Sequence, residues 1–137
     1  GYGPVWEFAA ERGCPVLSHT FHGSPYCDPA AFSPVAERYP QVPIVLIHSG
    51  SRTAAFEGAI TLAQAHPNLY LDVSGSFITG RWITRMVREA GPDRVIFSSD
   101  VPFLDLRYSL GRVVLAPLTP EEHRLVLGGN IRRLLRL

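Results

Sequence analysis

The chain has 137 residues, 46% of them apolar and 18% charged, with a net charge of +1. That balance suits one buried core and excludes an intrinsically disordered chain. It offers no basic stripe interleaved with aromatics for nucleic acid, no apolar run near the roughly 18 residues a membrane span needs, and no charged-then-apolar opening from which a secretory signal would be expected.

The predicted elements alternate along the chain. "PVWEFAAERG" (4–13) reads as a helix, with Pro4 in its first turn and Gly13 as its stop. "CPVLSH" (14–19) is a short strand. The loop "TFHGSPYCDP" (20–29) brings Asp28 to an N-cap with Pro29 behind it, opening a helix, "PAAFSPVAERY" (29–39), in which Pro34 predicts a kink or early break. "VPIVLIH" (42–48) is a second strand. "SRTAAFEGAITLAQAH" (51–66) is a helix capped by Thr53 or Ser51 and followed by Pro67. "NLYLDVSG" (68–75) is a third strand, "TGRWITRMVREAG" (79–91) a helix closed by Gly91, and "DRVIFSSD" (93–100) a fourth strand. After a loop, Thr119 caps "TPEEHRLVLGG" (119–129), with Pro120 in the first turn and Glu121 and Glu122 near the positive end of the helix dipole. "NIRRLLRL" (130–137) ends the chain as a basic helical turn or two, its arginines a solvated face.

Strand ends recur at His19, His48, about Ser74 and Asp100, every 26–29 residues, which is the period of a βα unit. The strands are near-continuous apolar runs, as in parallel sheets covered on both faces, and no two-residue hairpin turn joins them. The fold class is α/β with a parallel sheet, in a single domain over residues 1–137. Its four strands predict two exposed sheet edges and a drive to associate.

Three of the runs end in a side chain able to bind a metal: "PVLSH" in His19, "IVLIH" in His48 and "VIFSSD" in Asp100. In parallel α/β folds the site lies at the carboxyl ends of the strands, so these three face one crevice. Two imidazoles and a carboxylate suit a divalent cation, zinc first, with a position left open for a water whose pKa falls to about 7. Taken singly, each has a plain alternative: a hydrogen-bonded loop-edge histidine, or a turn aspartate. Arg52, just after "HSGS", is a candidate to clamp a substrate carboxylate, with a helix-start arginine as the alternative. His22 follows the first strand and is a candidate to face substrate, or else a solvated loop histidine. Asp72 either orients a ligand histidine or accepts backbone hydrogen bonds. His66 suits a helix end, His123 an exposed helix face, and Trp6 and Trp82 pack against the sheet. Cys14 and Cys27 are too few for a disulfide framework or a zinc site, and reduced thiols suit the cytoplasm.

"GCPVLSHT", "YPQVPIVLIHSG", "AHPNLYLDVSGS", "DRVIFSSDVPF" and "LTPEEHRLVLGGNIRRLL", in that order, resemble the second half of the amidohydrolase-related metal-dependent hydrolases, a family that includes decarboxylases of the aminocarboxymuconate-semialdehyde type. The resemblance covers nearly the whole chain and implies strands five to eight of a (β/α)₈ barrel. It implies that His19 is a metal ligand, that His48 is a second ligand or a catalytic residue, that Asp100 binds metal and shuttles a proton, and that Asn130 is the asparagine of the terminal helix. The implied reaction is attack of a metal-activated water on the carbonyl of a small molecule, or, with the same parts, decarboxylation. The family's H-x-H pair is absent, its "GSD" is "SSD", and a closed barrel needs about 250 residues. The expectation is therefore a C-terminal half or fragment; a half-barrel that pairs with another chain, as in a homo-oligomer, is the alternative, and so is a non-catalytic remnant.

Overall fold

The computed structural model describes residues 2–137. Helix α1 (Gly3–Arg12) stops at Gly13, whose φ of 61° is the left-handed conformation that glycine adopts without steric cost. Strand β1 (Val16–His19) follows. The Asp28 carboxylate accepts the Ala30 amide at 3.0 Å, and the break predicted at Pro34 takes the form of a 3-10 turn (Pro29–Phe32) passing into α2 (Ser33–Arg38). Next come β2 (Ile44–Ile47), α3 (Thr53–Ala65), β3 (Leu69–Asp72), α4 (Gly80–Ala90) and β4 (Val95–Ile96). Neither Thr53 nor Ser51 caps α3. Arg52 stands at its N-cap with no side-chain bond, and the Ser51 hydroxyl instead donates to the Thr20 carbonyl at 2.7 Å. A helix that the sequence left as loop, α5 (Leu106–Val114), is capped by Asp105. In α6 (Pro120–Arg124), Thr119 and Glu122 cap each other reciprocally, and a π-helical turn (Leu125–Gly129) leads into α7 (Asn130–Leu135).

The four strands are parallel and lie in chain order, with Val16 opposite Ile44, Ile44 opposite Leu69, and Leu71 opposite Val95. Alternation along each strand sorts the side chains into two layers. Ile44, Leu46, Leu69, Leu71 and Val95 pack with Ala9 of α1, Ala36 of α2, Phe56 and Ile60 of α3, and Ile83 and Met86 of α4. Each large buried side chain there contributes about 1.5–3 kcal/mol. On the other face, Val45 and Ile96 meet Leu134 of α7, with Ile47, Tyr70 and Ile131 around them. Sequential strand order, with every crossover helix on one face, is the winding of a barrel wall. A doubly wound sheet would reverse its order and cover both faces with crossovers. Trp6 stacks on Tyr39 and Trp82 meets Phe56 edge-on, both as packing residues.

One of the two predicted sheet edges is covered. The Phe97 amide donates to the Val126 carbonyl at 3.0 Å, and the buried Asn130 side chain donates to the Pro92 and Val95 carbonyls at 2.8 Å, so the π-helical turn and α7 flank β4. Strand β1 pairs with β2 alone. Leu17 on it is 54% exposed, and an apolar groove of about 600 Å³ runs beside it, lined by Trp6, Leu17, Tyr26 and Phe32. Cys14 and Cys27 are free. No helix among the described residues is long and apolar enough to cross a membrane.

Candidate active site

The strands deliver their chemistry at one end of the sheet. His19 is the last residue of β1. Beyond β2 the chain turns sharply, with His48, Ser49 and Ser51 at φ of 65°, 47° and 59°. Asp100 lies four residues past β4, in a loop rather than on the strand as expected, at φ 61°. Left-handed L residues each cost of order 1 kcal/mol and persist only where their surroundings hold them. Four of the five among the described residues stand at this edge, which marks it as the built site.

Specific bonds hold the turn. The buried Thr20 hydroxyl donates to the Ile47 carbonyl and accepts the Gly50 amide, both at 2.7 Å. The Ser49 hydroxyl donates to the Asp72 carbonyl at 2.8 Å. The fully buried Asp72 carboxylate accepts the His48 amide at 2.8 Å, the Ser74 amide at 3.1 Å, and the hydroxyls of Ser74 and Ser98. The Asp72 carboxylate thus takes backbone donors, and through the Ser74 hydroxyl it reaches His48, whose Nδ1 lies 2.8 Å from the Ser74 Oγ.

His19 and His48 stand edge to face, with ring centroids 5.1 Å apart, and His48 Nε2 lies 4.0 Å from Asp100 Oδ1. All three line one cavity of about 200 Å³. Arg52 lies at the same cavity, its guanidinium over the Phe21 ring at 5.1 Å and the Phe77 ring at 5.5 Å, with no carboxylate in ion-pair range among the described residues. Arg112 ties the β3–α4 loop by donating to the Gly75 and Ile78 carbonyls at 2.6 Å each. Burial pushes its guanidinium below the ordinary arginine value, opposed by Tyr108, Asp72 and Asp100.

His22, expected as a substrate contact, lies elsewhere. Its Nδ1 pairs with Asp28 at 3.2 Å, and the two line a separate groove beside α3. Burial alone would raise the Asp28 carboxyl, but bonds from the Gly23 and Ala30 amides and the neighbouring His22 hold it below the usual carboxylate value. His66 meets the Ser33 hydroxyl at 2.8 Å, a structural role. His123 is half-buried rather than exposed, its Nε2 2.9 Å from the Val113 carbonyl. Ser74, Ser98, Thr20 and Arg112 carried no role in the sequence; a small polar residue just past an apolar run was the only trace of the first three.

Gly75 has φ 93°, and a Cβ there would stand 3.1 Å from His48 Nδ1. Gly75→Ala is therefore expected to push the imidazole off its Ser74 contact and destabilise the fold by about 1–2 kcal/mol. Chemical denaturation together with the His48 ring shifts in NMR would check both effects.

His19, His48 and Asp100 suit a divalent cation in kind. Among the described residues, however, no group of three or more His, Cys, Asp or Glu is placed to hold one. The donors fit such an ion in chemistry and fall short in number.

The family model of the amidohydrolases matches residues 1–137. The chain belongs to the amidohydrolase family. Solved structures share its fold. An uncharacterised TIM-barrel protein from Bordetella bronchiseptica aligns over 98% of this chain and 50% of its own, at 23% identity and a TM-score of 0.85. A dihydroxybenzoic acid decarboxylase from a Polaromonas species, with bound manganese and the inhibitor 2-nitroresorcinol, aligns over 99% and 54%, at 19% identity and 0.72. An amidohydrolase from Burkholderia multivorans with bound zinc aligns over 96% and 56%, at 16% identity and 0.74. No curated protein matches. The chain spans about half the length of the structures it matches, and its four strands correspond to part of a TIM barrel.

Proposed function

We propose that this chain supplies the proton-handling part of a metal-dependent hydrolase acting on a small carbonyl substrate that bears a carboxylate. The observation that carries the reading is His48 Nε2 facing Asp100 Oδ1 across 4.0 Å in one cavity. That gap is too long for a direct hydrogen bond and fits one oxygen about 2.8 Å from each group. A water seated there gives one proton to Asp100 as it attacks the carbonyl, and His48 takes the second and passes it to the leaving group. Arg52, steadied by Phe21 and Phe77, clamps the carboxylate at the mouth.

His19 and Asp100 would contribute to holding a divalent metal, zinc as the first expectation, with His48 beside them. When bound, such an ion supplies Lewis acidity that draws charge from a substrate oxygen. The manganese and zinc in two structures of the same fold support a divalent ion here. The missing donors would come from a further segment or from a second copy of the chain. Free thiols at Cys14 and Cys27 support a reducing, cytoplasmic setting.

Decarboxylation of an aromatic acid is the second reading. It is favoured by the aromatic pair that brackets Arg52 and by relatives in fold that decarboxylate 5-carboxyvanillate and dihydroxybenzoate. His48, having first taken a proton from the seated water, would then protonate the carbon that carbon dioxide leaves. The first test is elemental analysis and metal titration of the purified chain. About one zinc or manganese ion per chain is expected, its affinity lowered tenfold or more by His19→Ala and by Asp100→Ala. A folded chain that takes up no ion would mean that the donor set is incomplete on this chain alone and that His19 and Asp100 hold no ion without further donors.

A further inference from the structure

We propose that Ser74 is a positioning residue that fixes the tautomer of His48, placing the ring hydrogen on Nδ1 and leaving Nε2 as an unprotonated base toward Asp100. The inference deepens the functional reading above and rests on it only for its consequence in catalysis. Asp72 Oδ1 receives two backbone amides, from His48 at 2.8 Å and Ser74 at 3.1 Å, and amides can only donate. An oxygen taking two such donors acts as an acceptor, so the Ser74 hydroxyl in contact with it gives its one proton to Oδ1. The Ser74 Oγ also stands 2.8 Å from His48 Nδ1. With its proton already directed to Asp72, Oγ can only accept there, and Nδ1 must be the donor. A neutral imidazole carries one ring hydrogen, so Nε2 has none.

The surroundings hold this direction. Asp72 is fully buried, and its second oxygen is taken by the Ser98 hydroxyl, so the carboxylate has no other place to turn. The backbone of Gly75 lies against the imidazole, and Arg112 fixes that backbone from behind. For the reaction, the order of events follows: neutral His48 accepts a proton at Nε2 before it can deliver one, and a substrate oxygen between it and Asp100 meets two acceptors at the outset.

The experiment is long-range ¹H–¹⁵N correlation of the histidine rings in the metal-free 137-residue chain near pH 8, where an ordinary imidazole is neutral. The expected result is His48 with a protonated Nδ1 and an unprotonated Nε2, retained in Ser74→Thr and changed to the opposite tautomer or a mixture in Ser74→Ala. An Nε2–H tautomer in the parent chain overturns the proposal by itself, even if Ser74→Ala does not fold. So does a folded Ser74→Ala whose ring nitrogens are unchanged. Because neither metal nor substrate is present, a chain that binds no ion can still give the expected spectrum, and the two readings fail separately.

Discussion

Asp100→Asn is expected to lower kcat/KM of the metal-loaded enzyme by about 10²- to 10⁴-fold, the usual worth of a positioned acid or base, with the fold intact. Asparagine matches aspartate in shape and tolerates the left-handed backbone at φ 61°, but its amide cannot take a proton from an oxygen held opposite His48. The companion substitution separates chemistry from stability. Asp100→Gly removes the steric cost of an L side chain at that φ, of order 1 kcal/mol, and is expected to melt no lower than the parent while losing the same activity. Steady-state kinetics and thermal denaturation on both variants check the pair. An Asp100→Asn enzyme within threefold of the parent would take Asp100 out of proton transfer.

The largest loss of stability is expected at Asp72→Ala. The carboxylate is fully buried and accepts four hydrogen bonds, from two backbone amides and two hydroxyls. Each buried donor left without a partner costs about 1–3 kcal/mol, and the two amides cannot rotate away to find another. A loss of about 3 kcal/mol or more follows, measured as a lower denaturation midpoint in urea at unchanged slope. The turn at 48–51 is expected to loosen with it, because Asp72 is what the strained His48 backbone leans on. Hydrogen exchange at the His48 and Ser74 amides would report this directly, and slow exchange persisting in the variant would show that the turn is held by Thr20 instead.

The parallel sheet was legible because each strand is an apolar run ended by a polar residue at a regular interval. The length of β4 was not. It pairs only through Val95 and Ile96, since the Phe97 amide goes to Val126 and the Ser98 hydroxyl to Asp72. Asp100 thus reaches the cavity from a loop, and its placement beside His48 depends on a left-handed turn that no apolar pattern encodes. Helix α5 was missed although Asp105 marks its cap: of its apolar residues only Val113 is buried, with Leu106 and Leu110 exposed, and the preceding "VPFLD" read as loop. His22 is close to His19 in sequence, but the chain turns at Gly23 and hands it to Asp28, in keeping with the loop-histidine alternative. Ser74 was legible only as a strand end. Its role arises from strand register, which sets Leu46 opposite Leu71 and so brings Asp72 under the His48 amide.

His19 sits at the end of the one strand with an unpaired flank. Its neighbour on the paired side, Ile47, is fixed by the sheet, but nothing among the described residues fixes the other side. Any cation that uses His19 is therefore coupled to whatever docks along Val16–His19. Binding free energies must balance around such a cycle: a partner strand that sharpens the metal site by some factor is itself held tighter by the metal by the same factor. Under the metal role proposed for His19, metal content and assembly at this edge would then rise and fall together, and a chelator would loosen such an assembly.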